Sequence, residues 1–404
     1  MAKSQSIRVP YGLSVHGEEE IKAVVDVLRG NTALGPKTEE FEKKIAKLFG
    51  KKYGVMVNSG SSANLLALEL LNLPAGSEVI TPLLTFATTV APIVQKGLVP
   101  GFIDVGPNNY LIDIDKVERA ITGKTRALMI PSLLGNIPNM KQLREIADQH
   151  RLWFIEDSCD TLGGRYAGKS TGAYSHISTT SFYGSHIING AGGGGMISVN
   201  DPKWREKLIV LRGWGRRSSL FGEKQKSEDL KNRFRGEIAG VPYDEKYTFS
   251  EIGYNFLPLE LSAAFALVQL KKFPKFAEAR RQNFARLLKF FGKFKNLFIL
   301  PKQTPQTQTT WLAFPLIIKP DAPFTRHAIT TFLEKQNIQT RPIFTGNILQ
   351  QPGFRNILHR LGQDEYPNTE LIMRNGFVMG CHHGLVAEQL DYLENKVREF
   401  ADGF

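Results

Sequence analysis

Between residues 55 and 156 the chain alternates short apolar runs with helix-patterned segments, and this alternation restricts the fold more than any other feature. Residues 55–58, 78–81, 101–105, 127–132 and 153–156 read as strands. Segments 62–71, 88–96, 116–120 and 140–150 lie between them and read as helices. Strands joined by helices pair in parallel, which predicts an α/β fold with a large, mostly parallel sheet covered on both faces. Two helices precede the first strand. One spans 15–29, with Ile21, Val24, Val25 and Leu28 on one face and Gly30 as its stop; the other spans 38–50, from a Thr38 cap to Gly50.

Beyond Gly195 the pattern loosens. Residues 215–247 are polar, basic and dotted with glycine, and read as an insertion or long loop. Helices are expected at 259–271 and 276–290. From about residue 300 a smaller α+β pattern takes over, with strands at 310–318, 339–343 and 377–380 and helices at 325–335 and 387–400. The division expected is a large domain over 1–270 and a small one over 271–404.

The 404 residues suffice for two such domains. No run approaches the roughly 18 apolar residues of a membrane helix, and the first residues lack the apolar stretch of a signal peptide. Two cysteines, Cys159 and Cys381, fit a reducing compartment, so the expected location is the cytoplasm. The net charge of +12 does not signal nucleic acid, because the basic residues are spread along the chain and no nucleic-acid-binding motif is present. It suits anionic small molecules such as a nucleotide diphosphate.

Candidate chemistry sits at the strand ends. Asn58-Ser59-Gly60-Ser61-Ser62-Ala63-Asn64 lies at a strand end and opens a helix, where free N–H groups and a glycine admit an anion; an ordinary capped turn looks the same. Asp157 ends a strand and so faces the crevice where open sheets bind ligands, or else forms a turn. Asp160 orients a neighbour or caps the next segment. Phe86 stacks on a flat ligand or packs in the core. Ser181 can bond a phosphate, and His186, five residues on, reaches back across the same pocket or is structural.

Together these segments resemble the sugar aminotransferase-like DegT/DnrJ/EryC/StrS family, with an aspartate-aminotransferase-type (fold type I) architecture. The resemblance runs from Gly35-Pro36 through Ser59-Gly60-Ser61 to the small domain and includes Gly253-Tyr254-Asn255. It implies pyridoxal 5'-phosphate or pyridoxamine 5'-phosphate as cofactor. Gly60, Ser61, Phe86, Asp157, Asp160 and Ser181 are then cofactor-binding residues. Asn255 reaches the cofactor phosphate of the opposite subunit in a homodimer with shared sites. Tyr183, Arg212 and Arg341 become substrate-binding candidates, Arg341 for a carboxylate of glutamate. No metal ligand is assigned.

His186 stands where that family has its cofactor lysine. A lysine holds the cofactor as a Schiff base; an imidazole cannot, yet it moves protons near neutral pH. The histidine is similar to that of the 3-dehydratases of nucleotide-linked 4-keto-6-deoxyhexoses. It implies C3 deoxygenation with glutamate as amino donor, in place of amination. Arg212-Gly213-Trp214-Gly215-Arg216, Lys246-Tyr247-Thr248, Gly346-Asn347 and Gln351-Pro352 resemble the branch that carries an iron–sulfur cluster. That cluster needs four thiolates, and Arg217-Ser218-Ser219-Leu220 offers none. The cluster-free reaction is therefore expected. A 4-aminotransferase, a cluster-assisted dehydrase and an inactive sugar-binding homologue are the alternatives, and the nucleotide is open.

Overall fold

The structure, a computed structural model, describes residues 7–222 and 228–404. The expectation for the first six residues and that for the middle of the 215–247 segment lie outside them. An eight-stranded sheet runs in the order Tyr53–Val57, Gly195–Val199, Ile177–Ser181, Trp153–Asp157, Thr125–Pro131, Glu78–Pro82, Val99–Ile103, Arg360–Leu361. Neighbours pair in parallel except around Gly195–Val199, which is antiparallel to both of its own. The largely parallel sheet expected from the alternation is thus present, with boundaries moved by a few residues.

The sheet sorts its side chains by the two-residue period of a strand. Val79, Met129 and Ile155 pack on one face with Leu66 and Ala67 of the helix Gly60–Leu71. Ile80, Leu128 and Phe154 pack on the other with Leu143 and Ile146 of the helix Met140–Gln149. Each such side chain contributes about 1.5–3 kcal/mol on burial, so a one-residue slip of any central strand is strongly disfavoured.

Several elements carried no readable period. The helix Pro202–Arg212 is capped by Asp201, but Leu208 to Arg212 are all buried, so its second half shows no polar face. The strand Arg360–Leu361 has two residues and pairs across the sheet edge with Val99–Ile103. Segment 215–247 is more than a loop in its described parts. It holds turns at Arg217–Phe221 and Glu245–Tyr247, one helical turn at Leu230–Arg233, and the hairpin Gly236–Ile238 with Val241–Tyr243.

The two helices expected at 259–271 and 276–290 are one helix, Glu260–Phe291, with Pro274 inside it. Proline normally breaks a helix by removing an N–H and crowding the preceding turn. Here packing on both sides outweighs that cost. Ala263, Ala266 and Leu267 lie in one buried cluster, and Phe284, Leu287, Phe290 and Phe291 in another. At 1.5 Å per residue the helix spans about 48 Å. Its second half packs on a smaller antiparallel sheet ordered Phe298–Ile299, Ala313–Ile318, Gly376–Gly380, Thr340–Pro342, with Arg326–Lys335 and Ala387–Ala401 alongside. Among the described residues no helix is long and apolar enough to cross a membrane.

The first residue of the long helix also caps another. Gly35 precedes the helix Pro36–Leu48 and has no side chain to offer its free N–H groups. Glu260 supplies the acceptors, taking hydrogen bonds from the N–H groups of Gly35 (2.9 Å), Lys37 (2.7 Å) and Thr38 (3.2 Å) and from Thr38 Oγ1 (2.6 Å). Glu260→Ala is expected to destabilise the protein by about 2–3 kcal/mol, as buried donors lose a charged acceptor. Denaturant unfolding followed by circular dichroism measures it, and an unchanged midpoint would refute the capping role.

Candidate active site

The carboxyl ends of the parallel strands open on one edge of the sheet, where a cavity of about 480 Å³ lies. The loops after these strands supply its walls: Ser59 to Ser61, Phe86, Leu133, Asp157 and Ser181. This is where open α/β sheets bind ligands. Tyr183, Ser185 and His186 close it from the turn that follows Ser181.

Asp157 is buried, and its carboxylate is held by groups from two helices. Oδ2 accepts from Asn64 Nδ2 and from Thr89 Oγ1, both at 2.8 Å; Oδ1 accepts from the Cys159 N–H at 3.2 Å. Asn64 is itself oriented by Thr179, whose hydroxyl donates to its Oδ1 at 2.6 Å. Asn64 lay in the Asn58–Asn64 motif, but its role beside Asp157, and Thr89 altogether, escaped the reading of the sequence. Their one signal was a polar residue in the first turns of a helix that follows a strand of the largely parallel sheet. Asp160 lies close by and accepts from the Leu134 N–H at 2.8 Å. Burial pushes its carboxyl up to about 7, against the lowering effect of that hydrogen bond.

The helix Gly60–Leu71 points its amino end into the cavity, with Ser59 as cap for the Ser62 N–H. Ser61 Oγ donates to Thr88 Oγ1 at 2.9 Å. A Cβ on Gly60 would lie 2.6 Å from Ser181 Cβ and 2.9 Å from Cys159 Sγ. Only glycine leaves this cradle open. Phe86 is half exposed and meets Phe344 edge-on at 5.8 Å. A free helix terminus with hydroxyls, a buried carboxylate and an unburied ring are the partners that a phosphorylated pyridine requires. The residues present therefore fit the cofactor that the family resemblance implies.

His186 meets the Tyr183 ring edge-on, with centroids 5.8 Å apart. Its Nδ1 is 3.5 Å from the Ser181 carbonyl. Burial pushes its pKa down to about 4; the Ser181 carbonyl opposes that, and the charge of Arg280 reinforces it. The imidazole is neutral at pH 7 and able to accept a proton.

Three expected residues stand apart from this cavity. Arg212, expected on the substrate, is buried, lines a separate cleft beside Pro36 and Phe221, and is paired as a guanidinium out of water must be. Its Nη1 donates to Glu42 Oε1 at 2.7 Å and to the Met56 carbonyl at 2.6 Å, contacts that hold it to structure and away from the walls of this cavity. Arg341 is half exposed and reaches an outer cleft that shares Tyr11, Tyr183 and Ser185 with the main cavity. Asn255 is exposed and absent from the cavity walls; its backbone bridges to Gly213. Tyr11 was not anticipated. It joins the cavity because Val9 pairs with Ile338 and Gln339 Oε1 accepts from the Tyr11 N–H, a contact between opposite ends of the chain.

Comparison with known proteins agrees with this geometry. Residues 15–398 match the DegT/DnrJ/EryC1/StrS aminotransferase family, and the chain belongs to it. It is 37% identical over 99% of its length to a dTDP-4-dehydro-2,6-dideoxy-D-glucose 3-dehydratase of Saccharopolyspora spinosa, covering 87% of that protein. The E coli GDP-4-keto-6-deoxy-D-mannose-3-dehydratase with bound hydrated PLP superposes with a TM-score of 0.86 at 31% identity, over 97% of this chain and 100% of that one. A GDP-4-keto-6-deoxymannose-3-dehydratase with a trapped PLP-glutamate geminal diamine gives a TM-score of 0.85, also at 31% identity, over 96% and 99%.

Arg212→Met is expected to lower stability by about 3–5 kcal/mol, since Glu42 is left buried without its cation. It is expected to leave the KM for substrate unchanged. A raised KM with an unaltered melting temperature would return Arg212 to the substrate.

Proposed function

We propose that this member of the family is a 3-dehydratase that removes the C3 hydroxyl of a nucleotide-linked 4-keto-6-deoxyhexose, using pyridoxal phosphate in its pyridoxamine form and glutamate as amino donor. The observation that carries the reading is His186, a neutral imidazole in the cavity at the position where the family resemblance has a lysine. The names of the relatives support the reaction class. They differ in nucleotide, so the nucleotide is left to experiment.

When bound, the pyridoxamine form supplies an amine for the C4 ketone and a ring that takes up an electron pair. Asp157, fixed by Asn64 and Thr89, would keep the proton on the ring nitrogen. Ser61, Ser181 and the helix amino end would hold the phosphate, and Phe86 would cover one face of the ring. His186 would take a proton at the C4′ carbon and return one to the departing C3 oxygen, its low pKa favouring the return. Arg341, at the outer cleft, receives a carboxylate of glutamate. A lysine here would tether the cofactor and reprotonate the sugar, which leads to amination; histidine permits only the proton transfers.

Asn255 points to a homodimer in which it completes the partner's phosphate site. It is exposed, lies off its own cavity and neighbours Ile252, which is 95% exposed. Together with the cysteine content, the soluble substrates suit a cytoplasmic enzyme.

Purified protein with pyridoxal phosphate, glutamate and, in turn, CDP-, GDP- and dTDP-linked 4-keto-6-deoxy sugars is expected to release a sugar lacking one oxygen, with 2-oxoglutarate and ammonia, without any reductase. Mass spectrometry reads the product. A product carrying nitrogen would make the protein an aminotransferase, and dependence on a reductase would favour the cluster-assisted chemistry. His186→Lys is expected to bind the cofactor covalently and to lose dehydration at least 100-fold, on the order of a general-base contribution. Borohydride treatment should then fix the cofactor to the chain. A spectrum unaltered by borohydride would count against the assignment.

A further inference from the structure

Arg280, midway along the helix Glu260–Phe291, is fully buried, and its guanidinium bridges main-chain carbonyls. Nη1 donates to the carbonyls of Trp311 (3.2 Å) and Leu312 (3.1 Å), Nη2 to that of His186 (3.4 Å), and Nε to His383 Nδ1 (3.3 Å). Among the described residues no carboxylate pairs with it. A buried cation without a counter-charge is costly and is rarely kept for stability alone. Arg212, which serves structure, has Glu42. We propose that Arg280 is a positioning residue for His186, holding from beneath the turn that carries the imidazole and setting a fixed positive charge behind it.

The inference rests on the reading of His186 as the base. A base must stay neutral until it acts, and a nearby cation disfavours imidazolium. Arg280 remains a cation at neutral pH even though burial lowers its pKa to about 10. The groups facing it are the Tyr11 hydroxyl, the Cys381 thiol and the imidazoles of His382 and His383; its charge also holds those two imidazoles down, behind burial as the main cause. His186 is faced by Arg280 from the long helix and by Tyr183 from its own turn. Asp157, Cys159 and Asp160 face it across the cavity. Burial is the main reason the imidazole stays neutral, and the cation behind the ring adds to it as pH falls.

The test is an NMR titration of the His186 imidazole in the full-length protein loaded with pyridoxal phosphate, beside the pH profile of kcat. Arg280→Met is expected to move the His186 midpoint, and the acid limb of kcat, to higher pH by about one pH unit. A structural role alone would lower stability without moving either. Arg280→Lys keeps the charge but cannot span the carbonyls; it is expected to leave the midpoint in place and lower kcat about tenfold at unchanged KM. An unmoved midpoint in folded Arg280→Met overturns the proposal. Should that variant fail to fold, wild-type kcat in Arg280→Lys overturns it instead. The titration needs no sugar, so a shifted midpoint in a protein without dehydratase activity would uphold the positioning role and sink the proposed reaction alone.

Discussion

The carboxylate of Asp157 stands at the end of a central strand, out of water, and the architecture of the site follows from holding it there. A buried carboxylate must be given donors, and no single element can supply them. Asn64 comes from the helix after Tyr53–Val57, Thr89 from the helix after Glu78–Pro82, and Thr179, which orients Asn64, from the adjacent strand. The donors arrive only if the strand order is correct and each crossover helix lies on its proper face. The site is thus a readout of the topology. The same helix that brings Asn64 to the carboxylate brings the amino end framed by Gly60, Ser61 and Ser181 to the opposite role, so one packing solution positions a cation's partner and an anion's cradle.

The parts legible in the sequence were those with local causes. Strand and helix periods are local, and so are the capped turn at Ser59-Gly60 and the spacing of Ser181 and His186. Asp157 was legible because a strand end in a parallel sheet has a defined direction. What stayed hidden depended on distant partners. Arg212 sits in a segment that resembles a binding loop, and only the fold reveals Glu42 beside it. Pro274 signals a break, and only the two clusters packed along Glu260–Phe291 explain why the helix continues. Tyr11 and Arg341 come to neighbouring walls through the pairing of the first described residues with 337–339, a contact no period announces. Glu260 as a cap for a helix over 200 residues earlier is the same lesson in hydrogen bonds.

Two buried arginines show how differently the chain handles the same charge. Arg212 is neutralised by Glu42 and fastens the helix Pro36–Leu48 to the edge of the large sheet. Such a pair contributes little beyond breaking even with apolar packing, but losing one partner is costly. Among the described residues, Arg280 is met only by carbonyl oxygens and an imidazole nitrogen, which solvate its donors and leave its charge uncancelled. The first arrangement ends its electrostatic influence within the pair. The second extends it into the cavity.

That difference bears on why a histidine can serve where a lysine is the family's rule. The cavity is dry enough to push the Asp160 carboxyl up to about 7 and the His186 imidazole down to about 4, so desolvation moves both groups toward their neutral forms. A lysine in the same surroundings would be driven in the same direction, toward the free amine that attacks a carbonyl. An imidazole made neutral by the same field has no such reaction open to it and is left with proton transfer. On the proposed reading, replacing the side chain while keeping the cavity thus turns a tethering group into a base. On the same reading, Arg280 helps to keep that base unprotonated until it takes the proton from the cofactor's C4′ carbon.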